Sequence, residues 1–289
     1  MNVFEMLITT PLGYILSFIY DLVQNYGWAV IIFTLITKLI ILPLSLKQQK
    51  SMSKMQTVRP LMEHIQTKYK DDPQRLQQET MKIYKEYGIS PAGGCLPLLI
   101  QFPIIIGLYQ VINRPLSFIL HLPQDAVAKV MTMYGADVKN VSAQIGVCRD
   151  MDPAAVMQEL GIAVEKLNFE FLGLDLSYNP NFGILNWFWV IPILSAATAY
   201  LSSYVMRKIQ GTPQQEGSMK TMNLLMPLMS AYFCFILPAG VGLYWIASNV
   251  FQIVQSIVLD KIYSNKNQED VIDVDEYFKK DRSNRKKHK

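Results

Sequence analysis

Five stretches of this chain are apolar over roughly the length that a helix needs to cross a bilayer. About 20 residues span ~30 Å of hydrocarbon, and the runs fall at residues 28–46, 95–119, 184–206, 222–237 and 241–259. A soluble core does not need uninterrupted runs of this kind. The composition agrees: 51% hydrophobic and 17% charged, where an average soluble protein is about 25% charged. Only Pro238, Ala239 and Gly240 separate the last two runs. Pro and Gly end one helix and reverse the chain, so these two runs form a tight helical turn. The fold class expected is all-α, a polytopic membrane protein with five transmembrane helices.

Basic residues orient the spans, because loops rich in Lys and Arg stay on the cytosolic side. The first intervening segment, residues 47–94, carries Lys47, Lys50, Lys54, Arg59, Lys68, Lys70, Arg75, Lys82 and Lys85. Residues 207–221 carry Arg207, Lys208 and Lys220, and residues 260–289 form a basic tail. Residues 1–27 have no Lys or Arg, and residues 120–183 carry only a few, spread thinly. The N-terminus and the 120–183 loop therefore face outside, and the tail faces the cytosol. Five spans place the two ends on opposite sides, so count and charge agree.

The segments between the runs have their own periodicity. Phe4, Leu7, Ile8, Leu12, Ile15, Leu16, Ile19, Tyr20 and Val23 repeat at helical spacing before Asp21 and Asn25 break the pattern. This predicts an amphipathic interfacial helix over residues 1–27; without a positive n-region it is not a cleaved signal. Residues 47–94 predict a cytosolic helical hairpin. Met52, Met55, Val58, Leu61, Met62, Ile65 and Tyr69 ride one helix, and Leu76, Met81, Ile83, Tyr84 and Tyr87 ride the next, with a turn at Asp71-Asp72-Pro73. The stripes either bury each other or, through Met52, Met55, Met62 and Met81, offer an adaptable contact surface for a substrate. Within the outside loop, helical periodicity runs from Pro153 to Leu167.

Candidate chemistry is sparse. His64, His121 and His288 have no motif partners, and no GxSxG, HExxH or P-loop is present. Cys95, Cys148 and Cys234 lack metal-ligand spacing and read as structural. No catalytic role, metal or cofactor is expected. The informative residue is Lys38, near the middle of the first span. A central lysine costs about 2.5–3.5 kcal/mol on insertion scales, and no acidic residue of another span is available to neutralise it. One reading is snorkelling, since Lys38 lies roughly 13 Å along a helix from Lys47. The favoured reading is a wet cavity open to the cytosol, lined also by Thr34, Gln101, Ser248, Asn249 and Gln252. A transporter is a rival, disfavoured because the five unequal spans show no internal repeat. A passive chaperone is another, and it would have no use for a buried charge. In the tail, Lys279, Lys280, Arg282, Arg285, Lys286, Lys287 and Lys289 follow an acidic stretch. Such a block binds either the phosphates of ribosomal RNA or anionic lipid.

Several stretches resemble the YidC-type membrane protein insertases, which are related to insertases of mitochondria and chloroplasts. They are Lys38 ahead of Pro43-Leu44, the segment Gln48 to Met55, the run Pro91-Ala92-Gly93-Gly94-Cys95-Leu96-Pro97 continuing to Gln101-Phe102-Pro103, Phe171-Leu172-Gly173-Leu174-Asp175-Leu176-Ser177, and Leu237-Pro238-Ala239-Gly240-Val241-Gly242-Leu243-Tyr244-Trp245 with Ser248-Asn249. The resemblance covers the chain from the first span to the last. It implies a bacterial plasma-membrane protein of the short Gram-positive-like form, with a hydrophilic groove at Thr34, Lys38, Gln101 and Trp245. The family's groove cation is usually Arg; Lys38 keeps the charge and loses the planar fork. Implied partners are nascent membrane proteins and, for the tail, the ribosome, with the Sec translocation channel open as a further one.

Overall fold

The computed structural model describes residues 2–89, 96–180, 186–210 and 218–267, together with Val274, Tyr277 and Lys279. The Pro91–Cys95 part of the glycine-rich motif and the tail residues Lys280, Arg282, Arg285, Lys286, Lys287 and Lys289 lie outside the described residues. The chain is mostly helical. A π-helical turn, Glu5–Thr9, leads into α1 (Thr10–Val23), followed by α2 (Tyr26–Thr57), α3 (Arg59–Lys68), α4 (Pro73–Glu86), α5 (Leu96–Asn113) and α6 (Pro115–Phe118). Then come α7 (Gln124–Met133), α8 (Gln144–Asp150), α9 (Pro153–Leu160), the strands β1 (Glu170–Phe171) and β2 (Leu174–Asp175), α10 (Val190–Gln210), α11 (Ser218–Ile236) and α12 (Ala239–Asn267).

Among the described residues, four helices are long and apolar enough to cross a membrane: Glu5–Val23, Tyr26–Leu46, Trp187–Ile209 and Ala239–Ile262. Pro227–Ile236 is a shorter apolar helix. Local chemistry explains several ends. Arg114 leaves the helical region, with φ −125° and ψ 54°, because Pro115 crowds the residue before it; α5 stops and α6 starts anew. Helix α2 runs through Pro43 to Thr57, well past the apolar run, since nothing from Lys47 to Thr57 opposes helix. The periodicity predicted from Pro153 to Leu167 ends early, at Leu160. There Gly161 takes a left-handed conformation, φ 66°, and closes the helix.

The chain divides into two compact units. The first comprises Met1–Ile40, Leu99–Tyr200 and Leu224–Phe251. Its core is aromatic and aliphatic, with Leu16, Tyr26, Phe33, Leu108, Ile112, Leu116, Met131, Met151 and Tyr244 fully buried. The 115–178 segment is folded rather than a loop: its short helices and β hairpin contribute Val130, Cys148, Val156, Leu167, Phe169 and Leu176 to that core. Its last part straps two helix starts. The carbonyls of Asn168, Leu176 and Tyr178 accept from the N–H groups of Tyr26, Gly240 and Ala239 at 2.9, 3.0 and 2.9 Å. First-turn N–H groups have no partner within their own helix, so the strap supplies what the helices lack. Between α10, α11 and α12, hydroxyl and amide pairs bridge the helices: Ser195 to Ser230 at 2.7 Å, and Asn249 Nδ2 donating to Thr198 Oγ1 at 3.2 Å. Apolar surface gives little drive for helices to associate within lipid, so such bonds and close packing hold them.

Cys148 is fully enclosed in this unit, and burial pushes its thiol up to about 12. At pH 8 only on the order of one thiol in ten thousand is then ionised, against a substantial fraction for a free cysteine. Cys148 is expected to resist a water-soluble maleimide in the folded protein and to react on denaturation, read by mass spectrometry. Rapid labelling of the folded chain would show that the 115–178 segment opens readily.

The second unit comprises Ile41–Leu98, Leu201–Asn223 and Gln252–Lys289. Its core is the facing stripes of α3 and α4. Val58, Leu61, Met62, Ile65, Ile83 and Ile89 are buried, with Tyr69, Leu76, Tyr84 and Tyr87 packed around them. Helix α4 begins where Asp72 accepts from the Arg75 N–H at 3.0 Å, with Pro73 in the first turn.

Candidate functional site

The site grows from one cation in an apolar helix. From Tyr26 to Phe33, α2 is packed into the core, and Tyr26, Ala29, Val30 and Phe33 are wholly covered. One turn later the helix opens, with Leu35 41%, Leu39 55% and Ile40 65% exposed. Lys38 sits at this transition and is half-buried. Its Nζ donates to Gln101 Oε1 on α5 at 3.3 Å. The Gln101 Nε2 in turn donates to the Tyr244 phenol oxygen on α12 at 2.6 Å. Ser248, one turn along α12, shares a hydrogen bond with the same phenol. Three helices thus contribute one polar chain, Lys38–Gln101–Tyr244–Ser248, and among the described residues no carboxylate pairs with the lysine.

Thr34, Trp245 and Asn249 make other contacts. Thr34 is fully buried, and its hydroxyl donates to the Val30 carbonyl at 2.7 Å. Thr37 does the same, to Phe33 and Thr34 carbonyls at 3.0 and 2.9 Å. Both hydroxyls are satisfied by their own helix, which lowers the cost of a polar group in lipid. Ser248 is buried, at 7% exposure. Trp245 stacks on Phe233 with ring centroids 6.0 Å apart, and Asn249 turns to Thr198. The structure therefore brings Lys38, Gln101 and Ser248 together, and places Asn249 in the polar bridge to α10. Tyr244 is the residue that sequence reasoning passed over. Its signal was available: a phenol inside an apolar run, four residues before Ser248, falls on the same helical face.

At the start of α2 aromatic rings pack against the strap. Tyr26 packs against Phe169 with centroids 4.9 Å apart, and Trp28 meets Phe171 edge-on at 5.5 Å.

Of the methionines expected on a contact surface, Met62 is buried in the α3–α4 core and Met81 is 40% exposed. Met52 and Met55 lie on α2, and their side chains lie outside the described residues. Lys279 is exposed.

The chain matches known proteins over most of its length. The model of the 60Kd inner membrane protein family matches residues 18–267. A membrane protein insertase YidC of Caldanaerobacter subterraneus subsp. tengcongensis is 31% identical over 247 residues, covering 86% of this chain and 91% of the relative. Membrane protein insertase YidC 2 of Listeria innocua is 30% identical over 270 residues, covering 92% and 75%. The Wolinella succinogenes YidC is 30% identical over 260 residues, but this chain spans only 37% of its length. Among solved structures, an active YidC insertase crystal structure with its first transmembrane domain resolved aligns with a TM-score of 0.54 at 25% identity, covering 88% of this chain and 46% of that one. With the family match running from α1 to the end of α12, this multi-pass bacterial membrane protein belongs to the 60Kd inner membrane protein family, that of the YidC-type insertases.

Proposed function

We propose that this protein inserts newly made proteins into the bacterial plasma membrane through a polar groove centred on Lys38. The observation that carries this reading is the Lys38–Gln101–Tyr244 chain, a cation with hydrogen-bonding neighbours between apolar helices and no carboxylate partner among the described residues. In this reading α2, α5, α10, α11 and α12 are the five spans, and α1 lies in the outer interface. Support for this is that the Glu5–Thr9 turn and the start of α1 meet the last turns of α5: Thr9 bonds Gln110, Glu5 pairs with Arg114, and Ile8 and Leu12 sit against Gly107. The N-terminus and the 115–178 segment face outside. The α3–α4 pair is the cytosolic hairpin, and the basic tail is cytosolic.

A polar outer segment of a nascent chain enters the groove from the cytosol, guided past the hairpin and its exposed Met81. Lys38 and the Gln101 amide replace part of the segment's lost hydration, which lowers the cost of moving polar groups through hydrocarbon. Acidic groups of the segment are drawn to the lysine. The apolar part then moves into lipid, driven by hydrophobic transfer and the membrane potential. The basic block from Lys279 onward holds the ribosome close through rRNA phosphates and rests on anionic lipid when no ribosome is bound.

Two experiments test this. In a variant without native cysteines, Gln101→Cys and Trp245→Cys are expected to react with a water-soluble thiol reagent supplied from the cytosolic side only; equal labelling from outside would indicate a channel. Separately, detergent-solubilised protein is expected to co-sediment with ribosomes several-fold more strongly as the full chain than as a chain ending at Tyr277, with steep loss in salt. Undiminished binding by the shorter chain would move the ribosome contact to the hairpin.

A further inference from the structure

The stripes of α3 and α4 do not bury each other alone. Tyr277, from the C-terminal segment, is only 9% exposed within the same apolar cluster. Its ring centroid lies 6.3 Å from that of Tyr87, and its phenol donates to Glu86 Oε2 at 2.9 Å. Val274 packs on this cluster too. Val274 and Tyr277 are both helical, and both lie in the same apolar cluster. Lys279, two residues on, is exposed.

Charge fits the same placement. The anchor is embedded in acidic sequence, with Glu269, Asp270, Asp273, Asp275 and Glu276. The helix pair that receives Tyr277 carries Arg59, Lys68, Arg75, Lys82 and Lys85 against Glu63, Glu79 and Glu86, a small basic excess. Tyr277 thus brings an aromatic anchor, from a stretch acidic in sequence, to the apolar seam of the pair. The tyrosine adds area that two short helices with narrow stripes lack.

We propose that Val274 and Tyr277 form a latch that holds the C-terminal tail on the α3–α4 pair. The seam is then covered by the chain's own tail, and any partner that uses it must displace Tyr277. A partner that draws the basic block away loosens the latch, so tail binding and seam binding are linked. The latch stands on the packing of this unit and holds whether or not the chain inserts proteins.

Hydrogen exchange of the full chain in detergent tests it. Tyr277→Ala is expected to speed exchange of residues 59–89 by about tenfold, with residues 26–33 unchanged. Tyr277→Phe, which keeps the ring and loses the phenol bond, is expected to retain most of the protection. A synthetic peptide of residues 269–279, added to the Tyr277→Ala chain, is expected to restore protection, and the same peptide carrying Tyr277→Ala is not. Restoration by the intact peptide alone separates an emptied seat from a helix pair that has unfolded. Exchange in the Tyr277→Ala chain equal to that of the parent, or no restoration by the intact peptide, would overturn the latch.

Discussion

Replacing Lys38 by alanine is expected to slow insertion of proteins with acidic outer segments at least about tenfold, which is ~1.4 kcal/mol in the barrier, while raising the thermal stability of the protein itself. The two effects have opposite signs because they arise from one feature. Lys38 is a cation held between apolar helices with a single amide oxygen as its observed partner. Removing it relieves a desolvation cost that insertion scales put at about 2.5–3.5 kcal/mol for a central lysine, less whatever the Gln101 bond and access to water offset. The same removal deprives an incoming carboxylate of its counter-charge, worth up to about 4 kcal/mol at close range in an environment of intermediate polarity. Lys38→Arg keeps the charge and is expected to insert these proteins near the normal rate. Insertion rates in a cell-free assay and melting in detergent are the measurements. An alanine variant that is slower and also less stable would mean that Lys38 is mainly structural.

Gly27→Val is expected to prevent accumulation of folded protein. A Cβ at Gly27 would lie 2.7 Å from the Phe171 Cβ and closer still to its ring, so neither side can move away by rotating a flexible tip. Overpacking of this kind costs typically 1–3 kcal/mol, and more when backbone must shift. Here the shift would disturb the bond from Tyr26 N to Asn168 O that straps the start of α2. Phe171→Ala made together with Gly27→Val is expected to recover folded protein, read as yield and monodispersity in detergent. Failure of the double variant to recover would place the fault in α2 rather than in its contact with the strap.

Much of the architecture was legible in the sequence because lipid leaves a chain few choices. Backbone groups must be satisfied within the segment, so an apolar run of span length is a helix, and a lysine within it stands out. The start of α4 was legible for a local reason, the Asp72-Pro73 pair. The folded 115–178 segment was not legible. Its helices are a few residues long, and what holds them is distant in sequence: Ser117 bonds Gln144, and the Tyr20 phenol accepts from Asn168 N at 2.7 Å across the chain. Periodicity reads one helix at a time and carries no information about such pairs. The same limit hid Tyr277. A tyrosine in an acidic tail has nothing local to mark it, and only the seam between α3 and α4 gives it a place. Thr34 shows another limit: polarity in a span does not tell that a hydroxyl donates to a carbonyl of its own helix, as this one does.

The most direct test is reconstitution of the purified protein alone into liposomes, followed by addition of a small single-span protein with an acidic outer segment. Insertion, read as protection of the translocated segment from protease, is expected without nucleotide, and it is expected to fall at least about tenfold when Lys38→Ala liposomes replace the parent. Equal protection in liposomes with the parent protein, with the alanine variant and with no protein at all would contradict insertion through a groove centred on Lys38.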